Sequence, residues 1–86
     1  MGWYVADKEV EVILASSRWT LAEKLVVQWQ FGRLGNFESQ LFRTIAAADE
    51  DNQARLERGF PEHVSGYRAW VYGNLGDRLR AAGLNI

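Results

Sequence analysis

Cysteine is absent from the 86 residues. That excludes a disulfide framework and any metal site built on thiolates. Proline occurs once, at Pro61, and histidine once, at His63. Charge of one sign is also missing: ten basic and eleven acidic side chains leave a formal net charge of −1. Neither a basic tail for nucleic acid nor an acidic tail is present. No apolar run approaches the roughly 18 residues of a membrane span, and the start of the chain lacks a basic segment followed by an apolar one, so no signal peptide is expected. A cytoplasmic protein is the corresponding expectation. Repeats, low-complexity stretches and long linkers are not found.

What is abundant is apolar surface. Hydrophobic residues make up 48% of the chain, with four Trp, four Phe and three Tyr. Such a composition folds, and the length suits a single domain over residues 1–86 with a small core. The aromatics are generous for that core, so some are expected to face a partner.

The periodicity reads as an all-α bundle of four or five short helices, with an α+β fold carrying an N-terminal β-hairpin as the alternative. Residues 1–17 hold that ambiguity. Asp7 suits an N-cap, and Ala6, Val10, Ile13, Leu14 and Ser17 then share a face. The same stretch also alternates as a strand through Val10, Val12 and Leu14, after an extended Trp3-Tyr4-Val5. Helix is favoured, because no turn residue divides the segment. Thr20-Leu21-Ala22-Glu23 matches a capping box and predicts a helix from Leu21 to about Phe31, stopped by Gly32. Leu21, Ala22, Leu25, Val26 and Trp29 share one face, while Val27 and Phe31 lie nearly opposite. Such a helix is either central in the bundle or paired with another chain.

After the Gly32–Gly35 turn, Asn36 can cap a helix whose stripe is Phe37, Leu41, Ile45 and Ala48, with Phe42 beside it. Asp49 then resembles a new cap, with Glu50 and Asp51 at the positive end of the next helix dipole. One unbroken helix from Asn36 to Arg58 fits as well, because Leu56 stays in phase. Pro61 opens a further helix with Phe60, His63, Val64, Tyr67, Trp70 and Val71 on one side. Gly66, Ala69 and Gly73 run beside that stripe as a small-residue track that admits another backbone. A last helix places Leu75, Leu79 and Ala82 inward and ends at Gly83. Trp29, Leu41, Ile45, Tyr67 and Trp70 are the expected core.

Candidate chemistry is sparse. His63 next to Glu62 invites acid–base catalysis, but neighbours on a helix point about 100° apart, so a half-buried, hydrogen-bonded structural histidine is the better reading. No nucleophile elbow or phosphate loop is present. Asp49, Glu50 and Asp51 lack the glycine and closing glutamate of a calcium loop and read as helix-start chemistry, or as a patch that meets a basic partner. A helix-turn-helix across Gly32–Gly35 would present Phe37-Glu38-Ser39-Gln40 to DNA, and the glutamate would face phosphate. The expectation is therefore of no catalytic residue, no cofactor and no metal.

Gly32-Arg33-Leu34-Gly35-Asn36-Phe37, then Ala48-Asp49 with Asn52 and Leu56, then Gly59-Phe60-Pro61-Glu62-His63-Val64 with Tyr67, Arg68 and Trp70, resembles small helical proteins encoded in bacteriophages and prophages. The resemblance covers roughly the central half of the chain and carries no catalytic residue. It implies a small accessory protein that binds a bacterial host protein, such as an inhibitor of a defence system of the anti-CRISPR or anti-restriction type. The near-neutral charge argues against the DNA-mimic version of such an inhibitor, and a small nucleic-acid-binding regulator is the alternative. The residues expected to meet a partner, or a second copy in a homodimer, are Asp49, Glu50, Asp51, Val27, Phe31, Trp3 and Tyr4.

Overall fold

The computed structural model describes the backbone of residues 2–86 and the side chains from Lys8 onward. Six helices follow one another: α1 (Gly2–Ala15), α2 (Leu21–Gln30), α3 (Asn36–Ala47), α4 (Glu50–Gly59), α5 (Pro61–Val71) and α6 (Leu75–Ala81). No strand occurs among the described residues, so the N-terminal hairpin is ruled out in favour of the helix. Every candidate segment forms its own helix, which gives six rather than four or five. α1 starts at Gly2, upstream of Asp7, so Asp7 is not its cap. Val10 and Ile13 are buried as the helical reading expected.

The α2 start is a complete capping box. The Glu23 amide donates to Thr20 Oγ1 at 3.1 Å, and the Thr20 amide donates to Glu23 Oε1 at 2.9 Å. The helix stops at Gly32, whose φ of 68° is left-handed and free of strain only for a residue without Cβ. α2 is the central helix, packed between α1 and α5. That is why Val27, about 100° around the helix from Val26, is itself buried. Leu21 departs from expectation and is exposed; at the first position of the helix its side chain projects back off the N-terminal end.

The α2–α5 seam is the tightest contact in the fold. A Cβ on Gly66 would lie 2.3 Å from the Ala22 carbonyl oxygen, so only glycine lets the two backbones meet there. Around this seam Trp29 stacks on Phe42, with ring centroids 4.9 Å apart and planes at 8°, and Tyr67 leans on Trp29 at 6.5 Å. The core holds Leu41, Phe42, Ile45, Val64, Leu75 and Leu79 together with Trp19 and Leu84. Trp29, Tyr67 and Trp70, expected as its centre, are only partly buried and pack around it. Their place is taken by Phe42, which is fully buried. Phe37 is 67% exposed, because the first turn of α3 runs past the end of the core. Ala82, expected inward, is exposed, and Leu84 fills that position instead.

Trp19 sits under two guanidinium groups, Arg18 at 5.2 Å and Arg78 at 5.5 Å from the ring centre. Arg78 also donates to Glu23. A single cation thus ties α6 to the start of α2 through an ion pair and a cation–π contact.

Candidate functional site

Residues 36–58 form two helices, and the break creates the most distinctive surface. Ala48 leaves helical geometry with ψ at 142°, and Asp49 accepts from the Asn52 amide at 2.8 Å as the α4 cap. A side-chain acceptor for one of the four free N–H groups is the usual way to start a helix so abruptly. The chain turns through a sharp elbow as a result. The inside is held by Gln53, which is 7% exposed. Its Nε2 donates to the Ile45 carbonyl at 2.9 Å, which also accepts from the Ala48 amide at 3.2 Å at the end of α3. Its Oε1 accepts from Arg68 Nε of α5 at 3.3 Å, and Arg68 Nη1 reaches Glu57 at 3.4 Å. One buried amide therefore joins three helices.

Outside the elbow lies an open groove of about 400 Å³, lined by Thr44, Ala47, Ala48, Asn52, Arg55 and Leu56. Its floor is apolar and made of small side chains, with Leu56 as the one large group. From Thr44 to Ala54 the sequence carries Asp49, Glu50 and Asp51 and no lysine or arginine. Asp49 is engaged as the cap. Glu50 and Asp51 are exposed, with no side-chain hydrogen bond or ion pair among the described residues. By contrast Glu11, Glu23, Glu38, Glu57 and Asp77 all have cationic or histidine partners.

The elbow carries three of the expected partner-facing residues, Asp49, Glu50 and Asp51. Val27 is 1% exposed and belongs to the core, so it is removed from any surface. Phe31 is partly buried against the core and ends α2, its amide donating to the Val27 carbonyl. The side chains of Trp3 and Tyr4 lie outside the described residues. The groove floor itself was not anticipated. Its signal in the sequence is the run Ala46-Ala47-Ala48 ahead of a helix cap, which leaves a shallow place where larger residues would fill the angle. Arg68 and Gln53, fifteen residues apart, have no local signature.

His63 is structural in its contacts. Its Nε2 lies 2.7 Å from Glu38 Oε2, and its ring packs on Phe42 at 5.3 Å and Phe60 at 5.8 Å. An ionised Glu38 requires the proton on Nε2. His63 Nδ1 is buried without a hydrogen-bond partner. Glu62 is exposed and plays no part. The perturbed carboxyl in the fold is elsewhere: burial raises the pKa of Glu23, but the Thr20 amide and the Arg78 guanidinium more than offset this and hold it below 4.5. Glu23 therefore stays ionised as a cap and ion-pair partner, which is a role in stability.

No cluster of three or more His, Cys, Asp or Glu able to hold a metal occurs among the described residues, and none of the described helices is long and apolar enough to cross a membrane. Comparison with protein-family models, with curated proteins and with solved structures gives no match.

Proposed function

We propose that this chain is a non-catalytic binding module that engages a partner protein through the α3–α4 elbow. The observation that carries the reading is the open groove of about 400 Å³ with alanine and leucine in its lining and Thr44, Asn52 and Arg55 around them. An apolar centre with a polar rim is the anatomy of a protein–protein contact. Its openness suits a segment of polypeptide laid across it better than an enclosed small molecule. His63, the residue that best fits acid–base chemistry, is already engaged by Glu38 and two aromatic rings.

The resemblance to phage and prophage proteins favours a bacterial host factor or defence component as the partner. The effect of binding is then blockade, in the manner of anti-CRISPR or anti-restriction proteins. A photo-crosslinking residue placed at Asn52 in the groove, and in a second protein at exposed Ser65 on α5, tests the site. In host cells, Asn52 should yield a discrete adduct that Ser65 does not. Adducts from Ser65 alone, or equal adducts from both, would move the binding surface away from the elbow.

A further inference from the structure

A second cleft lies between α4 and α5, and its chemistry differs from that of the elbow groove. It holds about 510 Å³ and is lined by Glu50 and Gln53 from α4 and by Arg68 and Tyr72 from the end of α5. We propose that this cleft binds a free α-amino acid with an aromatic side chain: its ammonium on Glu50, its carboxylate on Arg68 and its ring against Tyr72. The proposal does not depend on the elbow being a binding surface.

Three observations carry it. The first is charge. Glu50 and Arg68 line the same cleft, yet they form no ion pair with each other, and Glu50 has no other partner among the described residues. Opposite charges that share a cleft without meeting favour a ligand that carries both signs, because a ligand of one sign satisfies one group and is opposed by the other. The second is that Arg68 is held in place by the fold. Its Nε donates to Gln53 Oε1 at 3.3 Å and its Nη1 to Glu57 Oε1 at 3.4 Å. Gln53 is itself buried and anchored on the Ile45 carbonyl, so the guanidinium is oriented before any ligand arrives. Its Nη2 makes no hydrogen bond among the described residues, which leaves donors for a carboxylate. The third is Tyr72. It caps the end of α5 and is 76% exposed, a flat amphipathic ring at the cleft that the core does not use. The volume lies within the usual span of small-molecule sites, roughly 300–1,000 Å³.

The test uses the full chain, isotope-labelled, titrated with L-phenylalanine, its N-acetyl form, its carboxamide and glycine. Amide shift changes locate binding residue by residue. Phenylalanine should shift the amides of residues 50–57 and 68–72 and saturate at millimolar concentration. Removing either charge from the ligand should weaken binding by roughly threefold to fivefold, as expected for one charged contact at an exposed site. Glycine should bind more weakly, for want of a ring. Glu50→Gln should weaken phenylalanine without weakening the N-acetyl form, which has no ammonium to lose; a merely structural role for Glu50 would weaken both alike. Tyr72→Ala should weaken phenylalanine and leave glycine unchanged. Equal affinity for phenylalanine and its two blocked forms would overturn the zwitterion as the ligand. Absence of saturable shifts at residues 50–57 and 68–72 would overturn the site. Either failure leaves the elbow standing, since that surface is tested by crosslinking at Asn52.

Discussion

Two places where helices meet in this chain are built in opposite ways. At the α2–α5 seam everything fits: Gly66 lies against the Ala22 carbonyl, Val26 and Val64 are fully buried, and Trp29, Phe42 and Tyr67 stack beside it. At the α3–α4 elbow the inside is sewn shut by Gln53, and the outside is left unfilled over three small or aliphatic side chains. The same residue type, a small one, serves contrary ends. Glycine at position 66 removes space between helices, whereas alanine at 47 and 48 leaves space that no described residue occupies. Close packing is concentrated in the first region and open surface in the second.

The largest break in that contrast should come from Phe42→Ala. Removing a fully buried ring that stacks on Trp29 should cost roughly 3–5 kcal/mol, read from the urea midpoint; a small domain has little stability beyond that to lose. A midpoint close to the parent's would mean that the aromatic stack does not organise the core.

Next is Gly66→Ala. Alanine gains about 1 kcal/mol in helix propensity over glycine, but its Cβ cannot coexist with a backbone oxygen at 2.3 Å. Overpacking of this kind costs roughly 1–3 kcal/mol, and here the neighbour is backbone and cannot swing away. A net loss is expected. A variant more stable than the parent would show that α2 and α5 stand further apart.

A smaller effect, and one that depends on pH, belongs to Glu23. The folded-state pKa is lowered, so the contribution of this carboxylate is fully present above the unfolded value of about 4.5 and is lost as pH falls through the folded value. Glu23→Gln should cost roughly 1–2 kcal/mol at neutral pH through the cap and the Arg78 contact. Its stability should also fall less steeply than the parent's on acidification below 4.5. Parallel acid limbs in the two proteins would remove Glu23 from the pH dependence.

Much of this fold was legible in the sequence, because it is written in local chemistry. The capping box at Thr20 and Glu23, the cap at Asp49, Pro61 at the start of α5 and the left-handed Gly32 and Gly83 each act within a few residues, and helix boundaries followed from them. Even Gly66 announced a close approach, though not to which helix. What failed was the depth of burial. Phase alone put Leu21, Phe37 and Trp70 inward and left Val27 on a second face, because phase cannot tell where a helix runs past its neighbours or lies between two of them. Trp19 carried no periodic signal at all; it joins the core cluster, and Arg78, 59 residues away in sequence, is brought over its ring by α6. At the candidate site the acids were readable and the groove was not, since a cleft exists only once the angle between α3 and α4 is known.

The smallest expected change in stability is also the one that separates two kinds of partner. Glu50→Lys with Asp51→Lys leaves Asp49 in place as the cap, so the urea midpoint should match the parent's. Binding to a basic protein segment should weaken and lose its salt dependence. A nucleic-acid partner predicts the opposite sign, tighter binding with the added positive charge, and salt titrations of the double variant against the parent distinguish the two.

The most direct measurement of the division between seam and elbow is Ala47→Gln, a long neutral side chain placed in the groove from an exposed position at the end of α3. Urea midpoint and binding to the crosslinked partner are measured on the same preparation. An unchanged midpoint with binding reduced at least tenfold (about 1.4 kcal/mol) is the predicted result. Full binding at an unchanged midpoint would contradict the elbow as the binding surface.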